Sequence, residues 1–373
     1  MPETRKQVLD DTVQARFRAG RGEPPPHQAA ATVPAQRLRR RGFLGGAAGL
    51  VASELPILAS AMGTEVSSTP RLRSLGPVKQ IRAGVLDVGY VELGPIDGPP
   101  VLLLHGWPYD IHSYADVAPT LAGRGCRVVV PHLRGHGSTR ILESGNPRSG
   151  QQAALGADVI DLLNALRIER AVLAGYDWGG RAACVAAALW PQRCAGLVSV
   201  NSYLIQNIAV ANAPLAAKTE AGFWYQFYFL TERGRAGLMS NRRDIARTMW
   251  ERNSPTWRFD DETFNRSATA FDNPDYVDVV IHSYRHRLGS AAGLPEYDAL
   301  ERRLSQQPVI EVPAITLDGD SDGVVPATDG RLSASRFSGP RQHHVVSGVG
   351  HNLPQEAPGV FADAVWELAL TKR

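Results

Sequence analysis

The stretch Gly175-Tyr176-Asp177-Trp178-Gly179 places a carboxylate between two glycines, at the junction of a small apolar run and an alanine-rich run. The apolar run, residues 171–174, is typical of a buried strand, and residues 179–190 are typical of a helix. A glycine–x–nucleophile–x–glycine pattern at such a junction indicates a sharp turn that lifts the middle side chain above the sheet edge. Asp177 is therefore a candidate nucleophile, because a carboxylate is ionised at neutral pH without a base.

A carboxylate on this turn suits displacement at a saturated carbon, such as that of an epoxide or of a carbon–halogen bond. The product of that step is an alkyl ester on the protein, and a histidine must then activate water against the ester. The short pattern alone is equally compatible with an incidental Asp in a strand–turn–helix unit. The chemical interpretation therefore depends on partners elsewhere in the chain.

Three further loops follow predicted strands and carry suitable partners. His105-Gly106-Trp107-Pro108 follows the apolar run 101–104, Asp322 lies in the loop after residues 314–317, and His351 follows the last predicted strand. Ligands bind at the carboxyl ends of the strands in open α/β sheets, so we expect these loops to meet Asp177 there.

Strand and helix patterns alternate over most of the chain, which predicts an α/β fold with a mostly parallel, doubly wound sheet. From residue 203 to 308 the strand rhythm stops, and the sequence becomes aromatic-rich and mostly helical in pattern. We interpret residues 203–308 as a helical cap inserted between two core segments, 80–202 and 309–373. A separate second domain is the alternative.

The first 63 residues are predicted to form a disordered leader and an export signal. Arg40-Arg41-Gly42-Phe43-Leu44 resembles the twin-arginine motif, and Ala59-Ser60-Ala61 fits a cleavage site of small residues. Glu54 and Pro56 interrupt the apolar part, so no stable membrane span is expected. We therefore expect a periplasmic or extracellular protein, with a basic linker before a short helix as the alternative.

The composition limits the classes of partner. A chain of 373 residues with 43% hydrophobic residues suffices for one large α/β domain with an insertion, and its net charge of +3 argues against a nucleic-acid binder. Cys126, Cys184 and Cys194 offer neither a disulfide framework nor metal-ligand spacing. We expect a small-molecule substrate and neither metal nor cofactor.

Three motifs taken together resemble those of one protein family: Gly175–Arg181, His105–Pro108 and Gly350–Glu356. They resemble the motifs of α/β-hydrolase-fold proteins of the epoxide hydrolase branch, over about residues 80–370. In that fold the nucleophile, the acid and the histidine follow one another in the order found here.

The resemblance implies a role for each matching residue. Asp177 matches the nucleophile, His351 the base, and Asp322 the acid that orients the histidine, with Asp320 as the alternative acid. Some relatives with an Asp nucleophile place the acid after the preceding strand. Here that strand ends in Asn201-Ser202, which offers no carboxylate.

The resemblance also implies the groups that stabilise charge and bind substrate. Trp107 and Trp178 match the positions whose backbone N–H groups form the oxyanion hole, and both are expected to contact substrate. Tyr225 and Tyr297 match two cap tyrosines that protonate the epoxide oxygen. Two further cap tyrosines are alternatives and candidate substrate contacts: Tyr228 and Tyr284.

The nearest alternative activity is a dehalogenase that uses the same Asp–His–Asp set. Trp178 would supply a halide-binding donor, but Trp107 stands where such enzymes often have Asn. Dehalogenases of the fluoroacetate type usually have Arg directly after the nucleophile, whereas this chain has Trp178 there. A non-catalytic binding protein on the same fold is a third possibility, disfavoured by the full residue set.

Overall fold

The computed structural model describes residues 74–143 and 145–370. The predicted leader and export signal lie outside these residues. Within the described ranges, no helix combines the length and the apolar character needed to cross a membrane.

The described residues form one nine-stranded sheet, with strands in the spatial order β1-β2-β4-β3-β6-β7-β8-β9 and with β5 beside β2. Its strands are β1 (Lys79–Ala83), β2 (Leu86–Leu93), β3 (Pro100–Leu104), β4 (Arg127–Pro131), β5 (Arg140–Ile141), β6 (Ala171–Gly175), β7 (Cys194–Val200), β8 (Ala314–Gly319) and β9 (Arg341–Val346). Strand β2 pairs antiparallel with β1, β4 and β5. The neighbouring strands in the spatial order β4-β3-β6-β7-β8-β9 all pair in parallel. The predicted mostly parallel sheet is confirmed.

Helices cover the sheet and fill the connection from β7 to β8. The first three are α1 (Val117–Gly123), α2 (Gln152–Ala165) and α3 (Asp177–Leu189). The connection from β7 to β8 contains α4 (Ala217–Gly222), α5 (Trp224–Leu230), α6 (Glu232–Asn253), α7 (Asp261–Ala268), α8 (Tyr276–Arg287) and α9 (Asp298–Ser305). The last three are α10 (Arg331–Ala334), α11 (Leu353–Glu356) and α12 (Pro358–Leu370).

The central strands are buried because they are continuous apolar runs, as expected for parallel strands covered on both faces. All five residues of β6 are buried, and four of them are Ala, Val or Leu. Helix α3 packs on β6 and on α2, while α5 packs on α6 and α8 within the connection. These contacts bring the start of α3 beneath α5 and α8, where the candidate site lies.

Candidate active site

The turn between β6 and α3 holds Asp177 in a strained conformation. Its φ of +49° lies in the left-handed region, which non-glycine residues seldom adopt. A Cβ atom on Gly179 would lie 2.0 Å from the Leu104 carbonyl oxygen, and one on Gly175 would lie 2.6 Å from the Gly179 carbonyl carbon. The two glycines therefore permit α3 to begin directly against β3, with the Asp177 side chain at the sheet edge.

Two backbone N–H groups donate hydrogen bonds to the Asp177 carboxylate. The Trp107 N–H donates to Asp177 Oδ1 at 2.7 Å, and the Trp178 N–H also donates to this carboxylate. Burial by itself would raise the pKa of Asp177, but His351 and these two N–H groups outweigh burial and lower the pKa. The carboxylate is therefore ionised at neutral pH.

His351 lies between two carboxylates. Its Nε2 is 3.6 Å from Asp177 Oδ2, and its Nδ1 donates to Asp322 Oδ2 at 2.7 Å. Burial would lower the pKa of His351, but Asp322 and Asp177 together raise it to about 10. Asp320 is exposed and instead accepts from Ser347 and Gly348, so Asp322 is the acid in contact with the imidazole.

Asp322 is held by groups of its own loop and of β7. Its Oδ1 accepts from the N–H groups of Val324 at 2.7 Å and Val325 at 3.0 Å. The Asn201 side-chain amide donates to Oδ2 at 3.3 Å. In the sequence Asn201 marks only a position without a carboxylate, whereas in the structure its amide helps to orient Asp322.

Two residues of the β7–β8 connection and one carboxylate near the end of the chain fix the loops at the site, and the sequence did not reveal them. Ser254 Oγ accepts from the His351 N–H at 3.1 Å and donates to Glu356 at 2.6 Å. Trp250 in α6 donates from Nε1 to the Pro108 carbonyl oxygen at 2.7 Å. The sequence signal that could have found Glu356 is its place in the motif that begins with Gly350 and contains His351.

An aromatic cluster stands over the carboxylate. Trp107 stacks on Tyr225 with ring centroids 5.5 Å apart, and Tyr284 meets Trp107 edge-on at 5.3 Å. The Trp178 indole N–H donates to the Tyr284 hydroxyl at 3.3 Å. Burial and the negative charge of Asp177 raise the pKa of both phenols, so Tyr225 and Tyr284 remain protonated donors.

The other two cap tyrosines named from the sequence lie elsewhere. Tyr297 is half-buried and bonds to the Arg134 guanidinium, which also pairs with Asp158 through two contacts of 2.6 Å. Tyr228 packs its hydroxyl directly against Gly237 of α6. Of the four tyrosines, Tyr225 and Tyr284 are therefore the pair that the structure brings to Asp177.

The arrangement joins four chemical functions in one place. It offers an ionised carboxylate, an imidazole oriented by a second carboxylate, two N–H donors at the first carboxylate, and two phenol donors near it. Among the described residues, no group of three or more His, Cys, Asp or Glu side chains is gathered as a metal site.

Comparison with known proteins identifies the family. Residues 99–358 match the family model described as alpha/beta hydrolase fold. The chain belongs to the alpha/beta hydrolase fold family. Its structure resembles that of a “putative epoxide hydrolase” from Klebsiella pneumoniae, with a TM-score of 0.77 and 49% identity, over 78% of this chain and 97% of that one.

Two curated relatives extend the comparison. Epoxide hydrolase A of Mycobacterium tuberculosis is 28% identical over 301 residues, which are 74% of this chain and 92% of that protein. Fluoroacetate dehalogenase of a Burkholderia species is 38% identical over 101 residues, which are 26% of this chain and 33% of that protein. This member of the alpha/beta hydrolase fold family is therefore a hydrolase enzyme with epoxide hydrolase-like relatives.

Proposed function

We propose that this hydrolase opens an epoxide to a vicinal diol through a covalent ester on Asp177. The observation that carries the proposal is the pair of buried, protonated phenols of Tyr225 and Tyr284 beside an ionised carboxylate. Opening an epoxide generates a strongly basic alkoxide, which needs a proton donor, whereas a departing halide does not. Similarity to proteins named epoxide hydrolases also supports this activity.

The first step is alkylation of the nucleophile. An Asp177 carboxylate oxygen attacks the less hindered epoxide carbon, and the bond from that carbon to the ring oxygen breaks. The ring oxygen takes a proton from Tyr225 or Tyr284, which becomes a tyrosinate until solvent returns the proton. We thus assign to Tyr284 the role predicted for Tyr297, because Tyr284 bonds to Trp178 and Tyr297 bonds to Arg134.

The second step is hydrolysis of the ester. Once Asp177 is esterified its negative charge is gone, so the pKa of His351 falls and the imidazole loses its proton to solvent. The neutral imidazole, held by Asp322, takes a proton from the water that attacks the Asp177 carbonyl carbon. The N–H groups of Trp107 and Trp178 stabilise the oxyanion, which collapses and releases the diol with the proton from His351. The Asp177 carboxylic acid left behind then gives its proton to His351, which restores the ionised pair. The net reaction adds one water to one epoxide.

A substrate screen tests the proposal directly. The purified protein is incubated with styrene oxide, aliphatic epoxides and haloalkanes, and diols and free halide are quantified. We expect diol from at least one epoxide class, at a rate that depends on Asp177. Halide release without diol formation would overturn the proposal in favour of dehalogenation.

Dehalogenation is the second candidate, supported by the short stretch of similarity to the fluoroacetate dehalogenase. A halide-binding role would need a free indole N–H at Trp178. That N–H is occupied by the Tyr284 hydroxyl at 3.3 Å, which favours the epoxide over the halide as leaving group.

We also infer export by a twin-arginine route to the periplasm or the medium. The support is the Arg40-Arg41-Gly42-Phe43-Leu44 run followed by a weakly apolar stretch and Ala59-Ser60-Ala61. The three cysteines within the fold are free and buried, which is compatible with folding before export.

A further inference from the structure

An open cavity of about 910 Å³ lies between the connection after β7 and the helices α5 and α8. Gln226 and Arg287 both line it. Gln226 donates to the Tyr225 hydroxyl at 3.4 Å, and the Arg287 guanidinium lies over the Tyr284 ring at 5.4 Å. Gln226 and Arg287 therefore connect the cavity to the two phenols, which do not themselves line it.

The cavity wall is mostly apolar but carries a cation without an acidic partner. Arg287 donates from Nε to the side-chain oxygen of Gln206 at 3.1 Å, a neutral acceptor. The carboxylate of Glu220 also lines the cavity, but it accepts the Leu215 N–H at 2.7 Å. Within the described residues, no carboxylate forms an ion pair with Arg287.

A second guanidinium, that of Arg181, lies buried behind this wall. Arg181 follows Asp177 by four residues, so the two side chains share a face of α3. Its Nη1 donates to the Leu204 carbonyl oxygen at 2.6 Å and approaches the Gln152 side-chain oxygen at 3.5 Å. Its Nε has no hydrogen-bond partner in the described structure.

The two guanidinium groups belong to one network. The Gln152 side-chain oxygen, near Arg181, also accepts the Gln206 N–H at 3.0 Å, and Gln206 bonds to Arg287. Burial, reinforced by the positive charge of Arg287, lowers the pKa of Arg181 to about 9. The hydrogen-bond acceptors of Arg181 are neutral, and only the nearby negative charge of Asp177 partly offsets the cost of burying this cation. A further anion held by Arg287 would lower that cost.

We propose that this cavity binds the anionic end of the substrate, and that Arg287, backed by Arg181, recognises a carboxylate on the epoxide. The apolar walls, which include Phe223 and Leu230, would cover an aliphatic chain between the carboxylate and the ring. The substrate class is thus a carboxylate-bearing aliphatic epoxide. This inference rests on the proposed epoxide-opening function.

A matched pair of substrates isolates the charge: an ω-epoxy fatty acid and its primary amide, which have nearly the same shape. We expect the wild type to prefer the acid by about tenfold or more in kcat/KM for diol formation, since a charge-assisted hydrogen bond contributes about 1.5–3 kcal/mol. Arg287→Gln should abolish this preference chiefly through KM of the acid, and Arg181→Met should reduce it. Arg285→Gln is the control, because Arg285 pairs with Glu232 outside the cavity, and it should keep the wild-type preference.

Two results would overturn the anion site: a wild-type preference at or below one, or an unchanged preference in Arg287→Gln. Calorimetry with the saturated fatty acid and its amide measures binding without any reaction. It therefore tests the anion site independently of the proposed epoxide opening. If no epoxide yields diol but the wild type still binds the acid more tightly than the amide, and Arg287→Gln does not, the proposed function fails and the site stands. Equal binding of acid and amide rejects the site.

Discussion

His351 Nε2 lies 3.6 Å from Asp177 Oδ2, on the side of the imidazole opposite the 2.7 Å hydrogen bond to Asp322. The histidine thus faces the nucleophile across a gap longer than a direct hydrogen bond. In the proposed mechanism this relationship separates the two half-reactions, because the carboxylate would attack without help and only the water would need the imidazole.

His351→Gln should therefore stop hydrolysis before it stops alkylation. We expect a covalent adduct with the mass of the epoxide to accumulate on Asp177, and mass spectrometry of the intact protein and its peptides would detect it. Asp177→Asn is the control and should form no adduct. A His351→Gln protein that forms no adduct from a substrate of the wild type would refute the ester mechanism.

Tyr225→Phe and Tyr284→Phe each remove one proton donor and little volume. We expect each change to slow alkylation, and the double change to cost about 10²–10⁴-fold, since that is the typical contribution of a positioned proton donor. Stopped-flow measurement of the alkylation burst checks this. Tyr297→Phe is the matched control and should have little effect, because Tyr297 bonds to Arg134. A larger loss in Tyr297→Phe than in Tyr284→Phe would restore the assignment made from the sequence.

The raised pKa of His351 links stability to pH. Its value of about 10 in the folded state exceeds the ordinary 6.5. The stability that His351 contributes is therefore fully present below pH 6.5 and is lost as the pH rises towards about 10. The difference in free energy of unfolding between wild type and His351→Gln should shrink over this window in urea titrations. A difference that grows with pH would contradict the pairing.

Gly179→Ala should damage the elbow. The added Cβ would meet the Leu104 carbonyl oxygen at 2.0 Å, so α3 must move away from β3. Overpacking of this kind costs about 1–3 kcal/mol, and the shift should also lower activity because it displaces Asp177. Gly359→Ala in α12, where the added Cβ meets nothing within 4 Å, should be neutral or stabilising. Thermal unfolding of both variants provides the comparison.

Replacement of both Arg40 and Arg41 by Lys should hold the protein in the cytoplasm, since twin-arginine export requires the arginine pair. Fractionation of cells that produce wild type and variant would measure this. Unchanged export would reject the signal assignment.

Strands β1 and β2 show which elements the residue pattern predicts and which it misses. Residues 84–93 alternate apolar and polar side chains, which is typical of a strand, and β2 spans Leu86–Leu93. Strand β1 shows no clear apolar pattern, because Lys79–Ala83 is an edge strand with mostly exposed, polar side chains. Hydrogen bonding to β2 makes this segment a strand. The hydrophobic periodicity of a sequence does not show which segments pair.

The sequence alone determined the parallel part of the sheet and the order of the loops that carry Asp177, Asp322 and His351. Short motifs directly reflect local backbone requirements. Such requirements define strand β6, the glycines around Asp177, and the loops with Asp322 and His351. Parallel strands then bring these loops to one edge wherever the rest of the chain lies.

Only the tertiary structure decided which cap tyrosine faces the nucleophile. Tyr284 and Tyr297 are equally plausible as isolated residues, but α8 packs on α5 and turns Tyr284 towards Trp107 and Trp178. Tyr297 instead precedes α9 and bonds to Arg134. The orientation of a helical cap follows from side-chain packing between segments far apart in the chain, and helical periodicity specifies only which face is buried, not what it is buried against.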